Sequence, residues 1–422
     1  MKFSNDLSFA RLMDRKDPLK SIRAKFFFPV IKKKPGLYFT GNSLGLQAKS
    51  TSKWIQEELD DWSRFAVEGH FHARRPWLYY HKFTKKALAK ITGAKPSEVV
   101  AMNQLTVNLH LMLTSFYRPT EDRYVIIMEG GAFSSDQYAI ESQLRLHGMD
   151  PAKALVEVFP RPGEHTLRTE DIISIIRTHS NRVALVLFGG VQYYSGQFFN
   201  MSAITTAGHE VGAYVGFDLA HAIGNVPLSL HKDQVDFAVW CSYRYLNAGP
   251  GGIAGAFVHE KHGQNPELLR MAGWWGHEEN NRFKMRKGFI PMPGVDGWQL
   301  SNFPVLSGAA LLASLEVIDK VGMKALRTKS LLLTGYLEFL LLQIPNHQDW
   351  FTIITPTDPQ QRGCQLSLLM HRKGKMVFDR LASDGVIADW REPDVIRLAP
   401  VPLYNSFQDV FDLAKLFKKA LK

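Results

Sequence analysis

Three short runs in the middle of the chain are apolar at every position: 124–128, 183–188 and 213–217. Each is bounded by glycine or acidic residues. A strand with one face in water alternates, whereas a strand covered on both faces does not. These runs therefore predict strands buried between two layers. Between them the apolar positions recur at helical spacing. One such stretch follows Ser135, with Tyr138, Ile140 and Leu144; another spans 169–178, with Ile172, Ile173, Ile175 and Ile176. Strand and helix in alternation predict an α/β fold, a mostly parallel sheet between helices.

The pattern changes beyond about residue 305. Long helical stretches cover 306–318 and 323–344, the second stopped by Pro345. Strand-like pieces follow at 350–355 and 365–370, and 407–421 is amphipathic. This predicts a large domain over 51–305 and a smaller α+β domain over 306–422. The first 50 residues are too few for a domain and are expected to pack on the small one.

Composition narrows the function classes. The chain has 422 residues, 45 % hydrophobic and 22 % charged, so it has apolar surface enough to offset its ordering entropy. The longest apolar candidate, 331–344, is interrupted by Glu338 and Gln343 and is too short for a bilayer, so no membrane partner is expected. Lys2, Asp6, Arg11, Asp14, Arg15 and Lys16 have no apolar core behind them, unlike a secretory leader. Fifty-one basic against 40 acidic residues give a formal charge of +11, but the densest run is only Lys32-Lys33-Lys34. A solvated basic surface explains this, and no nucleic-acid partner is expected. Cys241 and Cys364 can form neither a disulfide framework nor a four-thiolate metal site. A cytoplasmic protein with reduced thiols is expected. His70 and His72 flank Phe71 at a spacing seen in metal pairs, but no third ligand is suitably placed, so no metal is expected.

In open α/β sheets, ligands bind beyond the carboxyl ends of the strands. Asp218-Leu219-Ala220-His221 follows the third apolar run. A carboxylate at a buried strand end needs a donor or cation. A protonated pyridine nitrogen is one such partner; the N-terminus of a following helix is another. The tetrapeptide alone does not choose between them. Downstream, a strand beginning at Val235 runs into Cys241-Ser242-Tyr243-Arg244-Tyr245-Leu246-Asn247-Ala248-Gly249.

That segment resembles the Cys-Ser-Tyr-Lys-Tyr-Leu-Asn-Ala-Gly stretch of the kynureninases, fold-type I pyridoxal-phosphate enzymes with an aminotransferase-like fold. Similar stretches occur in the family's order at 41–47, 106–111, 138–144, 216–222, 282–285 and 399–407, covering nearly everything from about residue 37 onward. The resemblance implies hydrolysis of L-kynurenine or 3-hydroxykynurenine to L-alanine and anthranilate or 3-hydroxyanthranilate. It implies a homodimer and a place in tryptophan catabolism, the kynurenine pathway and NAD biosynthesis. It assigns Leu105 and Thr106 to the cofactor phosphate and Phe133 to stacking on the ring. Ser135 and Asp136 belong to the same cofactor turn, where Ser134 replaces a family proline. Asp218 would pair the pyridine nitrogen, with His221 beside it, and Tyr243 would reach the phosphate or relay a proton. Trp274 and Asn302 would close the site across the dimer. Arg397 would grip the substrate's α-carboxylate, while His70, His277, Ser301 and Asn302 would contact its aryl ring. Gly189 stands where the family has a serine.

The largest departure is Arg244, which falls at the family's Schiff-base lysine. Cys241-Ser242-Tyr243 and Tyr245-Leu246-Asn247 fix the register on both sides. A guanidinium stays protonated at any workable pH, with a pKa above about 12. It can neither form a useful imine nor shuttle the α-proton. The implied cofactor, pyridoxal 5′-phosphate, would then be held non-covalently. Three explanations stay open: an introduced substitution, a relative that binds without ordinary catalysis, or another base such as Lys232 or Lys284. A cysteine desulfurase would need a mobile catalytic thiol, and Cys364 reads instead as a small strand residue.

Overall fold

A computed structural model describes residues 2–265 and 267–422. Its central sheet has seven strands: β1 (Val99–Ala101), β2 (Val125–Glu129), β3 (Leu155–Val158), β4 (Val183–Gly189), β5 (Tyr214–Asp218), β6 (Phe237–Trp240) and β7 (Gly255–Val258). They lie in the order β1-β7-β6-β5-β4-β2-β3. Only β7 runs against the rest. The three apolar runs are β2, β4 and β5, and all but the first residue of β5 is buried in them.

Successive side chains of these strands enter different cores. Ile126, Met128, Leu185 and Leu187 pack on one face with Leu109, Ile140 and Trp298. Ile127, Val186, Phe188 and Val215 pack on the other with Ile172, Ile204 and Leu311. Alternation is therefore present in space although the sequence is apolar throughout. Helices α1 (Leu7–Lys16), α2 (Thr51–Phe65), α3 (Tyr80–Thr92), α4 (Leu105–Phe116), α5 (Ser134–Leu146), α6 (Thr169–His179) and α7 (Met201–Glu210) precede or connect the strands. The Asn200 side chain caps α7 by accepting from the Ala203 N–H.

The expected break at residue 305 falls at the start of α8 (Val305–Val321), yet Leu311, Leu315 and Ile318 pack in the large sheet's core. The change of core occurs within α9 (Met323–Leu342): Leu326 belongs to the first, and Leu333 onward to a second. The second core lies under an antiparallel sheet of β8 (Phe351–Ile353), β9 (Leu366–Met370), β10 (Asp389–Arg391) and β11 (Val395–Leu398), in the order β8-β9-β11-β10. Helices α10 (Gly374–Ser383) and α11 (Phe407–Ala420) cover it, and a Ser406–Asp409 capping box starts α11. Leading residues join both bodies. Ala10, Met13 and Phe39 enter the second core, Leu37 pairs with Val386, and Phe26 and Leu46 enter the first. No helix among the described residues is long and apolar enough to cross a membrane.

Asp236 pins the back of the large sheet. Its buried carboxylate accepts from the Val215 N–H at 2.7 Å, His209 Nε2 at 2.8 Å and His262 Nε2 at 2.7 Å, with Lys261 Nζ at 2.7 Å. Burial alone would raise its pKa; the bonds to His209, His262 and Lys261 outweigh that and hold it below the ordinary carboxylate range. A lowered pKa is a stabilisation present above the unfolded value and lost as pH falls below about 4. Asp236→Ala should cost on the order of 3 kcal/mol at neutral pH, because a buried donor set loses its acceptor. Thermal unfolding checks this; midpoints within a degree or so would show that the network contributes nothing.

Candidate active site

β2, β4 and β5 end on one edge of the sheet in Glu129, Gly189 and Asp218, and the turn beyond β6 carries Tyr243 and Arg244. The first turns of α4 and α5 reach the same edge. Together they enclose a cavity of about 170 Å³, lined among others by Leu105, Thr106, Phe133, Ser135, Asp136, Asp218, His221, Tyr243 and Arg244. These residues lie up to 139 positions apart, from Leu105 to Arg244 (244 − 105). All were expected to share a site.

The local reasons are visible in the chain. Leu105 opens α4, so the N–H groups of its first turn have no intrahelical acceptor and face an anion-compatible pole. Phe133 is the residue before α5, with extended backbone, and meets Tyr193 edge-to-face at 5.2 Å. The turn holding Arg244 is packed tightly from the leading segment: a Cβ on Gly45 would lie 2.2 Å from the Arg244 carbonyl oxygen. Gly45 N–H also donates to the Tyr243 carbonyl at 2.8 Å. Only a glycine permits that approach.

Three carboxyl groups crowd one side of the cavity. Asp218 Oδ1 accepts from the Ala220 N–H at 2.6 Å, and its carboxyl group shares a hydrogen bond with that of Asp136. Burial raises both, and the neighbouring Asp218 and Glu129 charges raise Asp136 further. Glu129 Oε1 accepts from the Gly189 N–H at 3.0 Å, while its Oε2 is buried without a partner. Burial pushes Glu129 up to about 7. His221 is held neutral, first by burial and then by the positive charges of Arg244 and Arg397, and its Nδ1 has no partner. This side of the cavity thus has acceptors and protons in excess of cations. A protonated ring nitrogen suits it.

Arg244 is 8 % exposed. Its Nη1 donates to the Asn42 carbonyl at 2.6 Å, its Nε to Cys241 Sγ at 3.3 Å, and its Nη2 lies 3.4 Å from the Tyr243 hydroxyl. Arg397 differs from expectation. It is fully buried on β11 and already paired with Asp389 at 2.6 Å, and it donates to the Tyr193 carbonyl at 2.6 Å. Only its Nε is without a partner.

Other expected residues are not gathered by the single chain. Trp274, 42 % exposed, and His277 line a separate surface cavity of about 280 Å³. Ser301 and Asn302 are exposed. His70 packs edge-on to Trp77 at 5.4 Å, and its Nδ1 lies 2.9 Å from the Val67 carbonyl oxygen.

Glu129 was missed by the sequence reading, though the signal was the one that marked Asp218: a carboxylate ending an all-apolar strand. Gly189 was read as a lost phosphate contact. It lies level with Asp218 in the strand register, and a Cβ there would come within 2.8 Å of Glu129 Oε1. A metal was not expected, yet Glu98, His231 and His259 converge away from the cavity. Their polar atoms are largely used: Glu98 accepts from His231 and from the Lys95 and Glu260 N–H groups, and His259 Nδ1 accepts from the Lys261 N–H.

Comparison with known proteins separates the fold from the family. The cysteine desulfurases of Escherichia coli and Thermococcus onnurineus share the fold. The first has a TM-score of 0.77 at 16 % identity, covering 96 % of this chain and 98 % of that one. The second has a TM-score of 0.74 at 15 % identity, covering 91 % and 94 %. Residues 46–365 match the aminotransferase class-V family and residues 326–417 the kynureninase C-terminal domain. A kynureninase of Flavobacterium psychrophilum is 53 % identical over 422 residues, 100 % of this chain and 99 % of its own. Another, of Myxococcus xanthus, is 54 % identical over 414 residues, covering 98 % and 97 %. The chain belongs to the kynureninase family. The cofactor of this family is pyridoxal 5′-phosphate, and the carboxyl cluster, the orphaned His221 Nδ1 and the open first turn of α4 fit it.

The raised Glu129 carboxyl has a consequence for the kynureninase fold without its cofactor. A carboxyl with a raised pKa binds more protons folded than unfolded, so its contribution is full below the unfolded value and is lost as pH rises through about 7. The ligand-free protein should therefore lose on the order of 3 kcal/mol from this group between about pH 5 and pH 8. Glu129→Gln should flatten that fall in a series of unfolding midpoints against pH. Parallel curves for the two proteins would show that Glu129 does not titrate there.

Proposed function

We propose that this cavity is a kynureninase pocket for L-kynurenine and 3-hydroxykynurenine, and that Arg244 slows their hydrolysis to L-alanine and anthranilate or 3-hydroxyanthranilate. The carrying observation is that Leu105, Thr106, Phe133, Asp218, His221 and Tyr243 line one cavity with Arg244 buried in its wall.

Bound pyridoxal phosphate supplies an aldehyde for the substrate amine and a ring that withdraws electrons. Asp218 holds the proton of the ring nitrogen and so keeps that withdrawal strong. The first turn of α4 and the Thr106 hydroxyl receive the phosphate. Phe133 and His221 wall the ring, with Ser135 and Asp136 setting the turn beneath. Burial raises the Tyr243 phenol above its ordinary value, so it keeps its proton at neutral pH and can donate it toward the substrate's β-carbon. Arg397, neutralised by Asp389, offers the substrate's α-carboxylate its remaining Nε–H. Arg244 cannot accept the α-proton, because its cation is fixed and already donates to Asn42 and Cys241.

A second reading, a silent cofactor- or ligand-binding member of the family, is favoured by the same Arg244. One pair of proteins separates the two. With cofactor added, Arg244→Lys should acquire a visible absorption band and release alanine from kynurenine at least about 100-fold faster. Equal rates would place the base elsewhere. Absence of turnover in both proteins would support the silent reading.

The chain is further read as a cytoplasmic homodimer in which Trp274 and Asn302 close the site across the interface. Their position outside it in the single chain supports this. Sedimentation should give a dimer, and a monomer that binds cofactor at micromolar concentration would refute it.

A further inference from the structure

The two hydrophobic cores do not meet along their whole boundary. Where the ends of α1 and α8 face the starts of α9 and α11, a cavity of about 530 Å³ remains, sharing no residue with the candidate active site. Its apolar wall is Met13, Pro18, Val321, Ala325, Leu332 and Phe407. Val321 and Ala325 pack on the first core; Met13 and Phe407 belong to the second, and Leu332 packs on it. Protein interiors are otherwise close-packed, and a gap between two apolar layers forfeits the contacts they would make. The volume lies within the roughly 300–1,000 Å³ of pockets that take small organic ligands. An apolar guest here would touch both cores at once.

The polar groups around the cavity select the guest's head group. Asp17 pairs with the buried Lys329 at 2.8 Å and accepts the Leu19 N–H at 2.8 Å. The other acids near that lysine are also engaged. Asp14 accepts the Phe407 and Gln408 N–H groups at 2.7 and 3.0 Å, and Asp409 pairs with Arg23. Lys16 and Lys324 remain in the wall, both exposed and neither in an ion pair among the described residues. Exposed lysines are satisfied by water and mark no site by themselves. Over an apolar cavity, however, they favour an anionic head group and repel a cationic one. The wall is aliphatic apart from Phe407 and includes the adaptable Met13, which suits a flexible chain better than a flat ring.

We propose that this cavity binds an alkyl monocarboxylate, with its chain between the two cores and its carboxylate at Lys16 and Lys324. The site stands apart from the cofactor pocket, and its test is independent of the reading of that pocket. The full chain would be titrated calorimetrically with octanoate, octan-1-ol and octylammonium, which share one chain and differ in head group. Octanoate should bind once per chain and at least about three-fold tighter than the alcohol, the scale of two exposed ion pairs, with octylammonium the weakest. From hexanoate to octanoate the affinity should rise by up to about four-fold per CH₂, as the chain leaves water. Lys16→Glu combined with Lys324→Glu should reverse the order of octanoate and octylammonium. Ala325→Trp, which fills the cavity, should abolish octanoate binding while unfolding stays cooperative; if that variant does not fold, the charge-reversed protein and the chain-length series decide. Failure of octanoate to bind, equal affinity for octan-1-ol, no gain with chain length, or an unchanged order after charge reversal would each overturn the proposal. Binding that survives Ala325→Trp would also overturn it, by showing association with the exposed surface rather than the cavity.

Discussion

Every feature of the cavity follows from one constraint, the cost of holding ionisable groups where water is scarce. β2 and β5 are apolar along their lengths and end in carboxylates, so Glu129 and Asp218 are carried into the interior by the strands that bear them. There burial raises their pKa values and favours the protonated forms. Asp136, brought by the first turn of α5, adds a third carboxyl and shares a hydrogen bond with Asp218. Burial holds such a cluster toward its protonated forms.

The same constraint shapes the two buried arginines. Arg397 is answered by Asp389, a neighbour across the β10–β11 pair, and so is tolerated at full burial. Arg244 has no acid at ion-pair distance among the described residues, but it donates to the Asn42 carbonyl and the Cys241 thiol, and Cys241, Tyr243 and Asp218 favour its cation against burial. A guanidinium keeps its proton at any workable pH, so this position presents a fixed cation and not a neutral amine.

Glu129 and Gly189 share one close contact in the cavity wall. The space a Cβ at 189 would need is taken by Glu129 Oε1, which accepts the Gly189 N–H.

Much of this was legible in the chain itself. Uninterrupted apolar runs marked β2, β4 and β5 because a strand covered on both faces has no position that must be polar. The helices of the second body were legible from their periodicity. Asp218 stood out as a charge at the end of such a run, and Glu129 carried the same mark unread. The motifs around Arg244 fixed its register in the chain. The sequence could not show that α8 packs on the large sheet, since apolar helix faces do not name their partner. It could not show that Asp389 already neutralises Arg397, or that Trp274 and Asn302 stay outside the cavity of one chain. Those are contacts between segments distant along the backbone. Side-chain type and spacing settle what a local segment prefers, whereas pairing of charges and closure of a pocket depend on which distant segments the packing brings together.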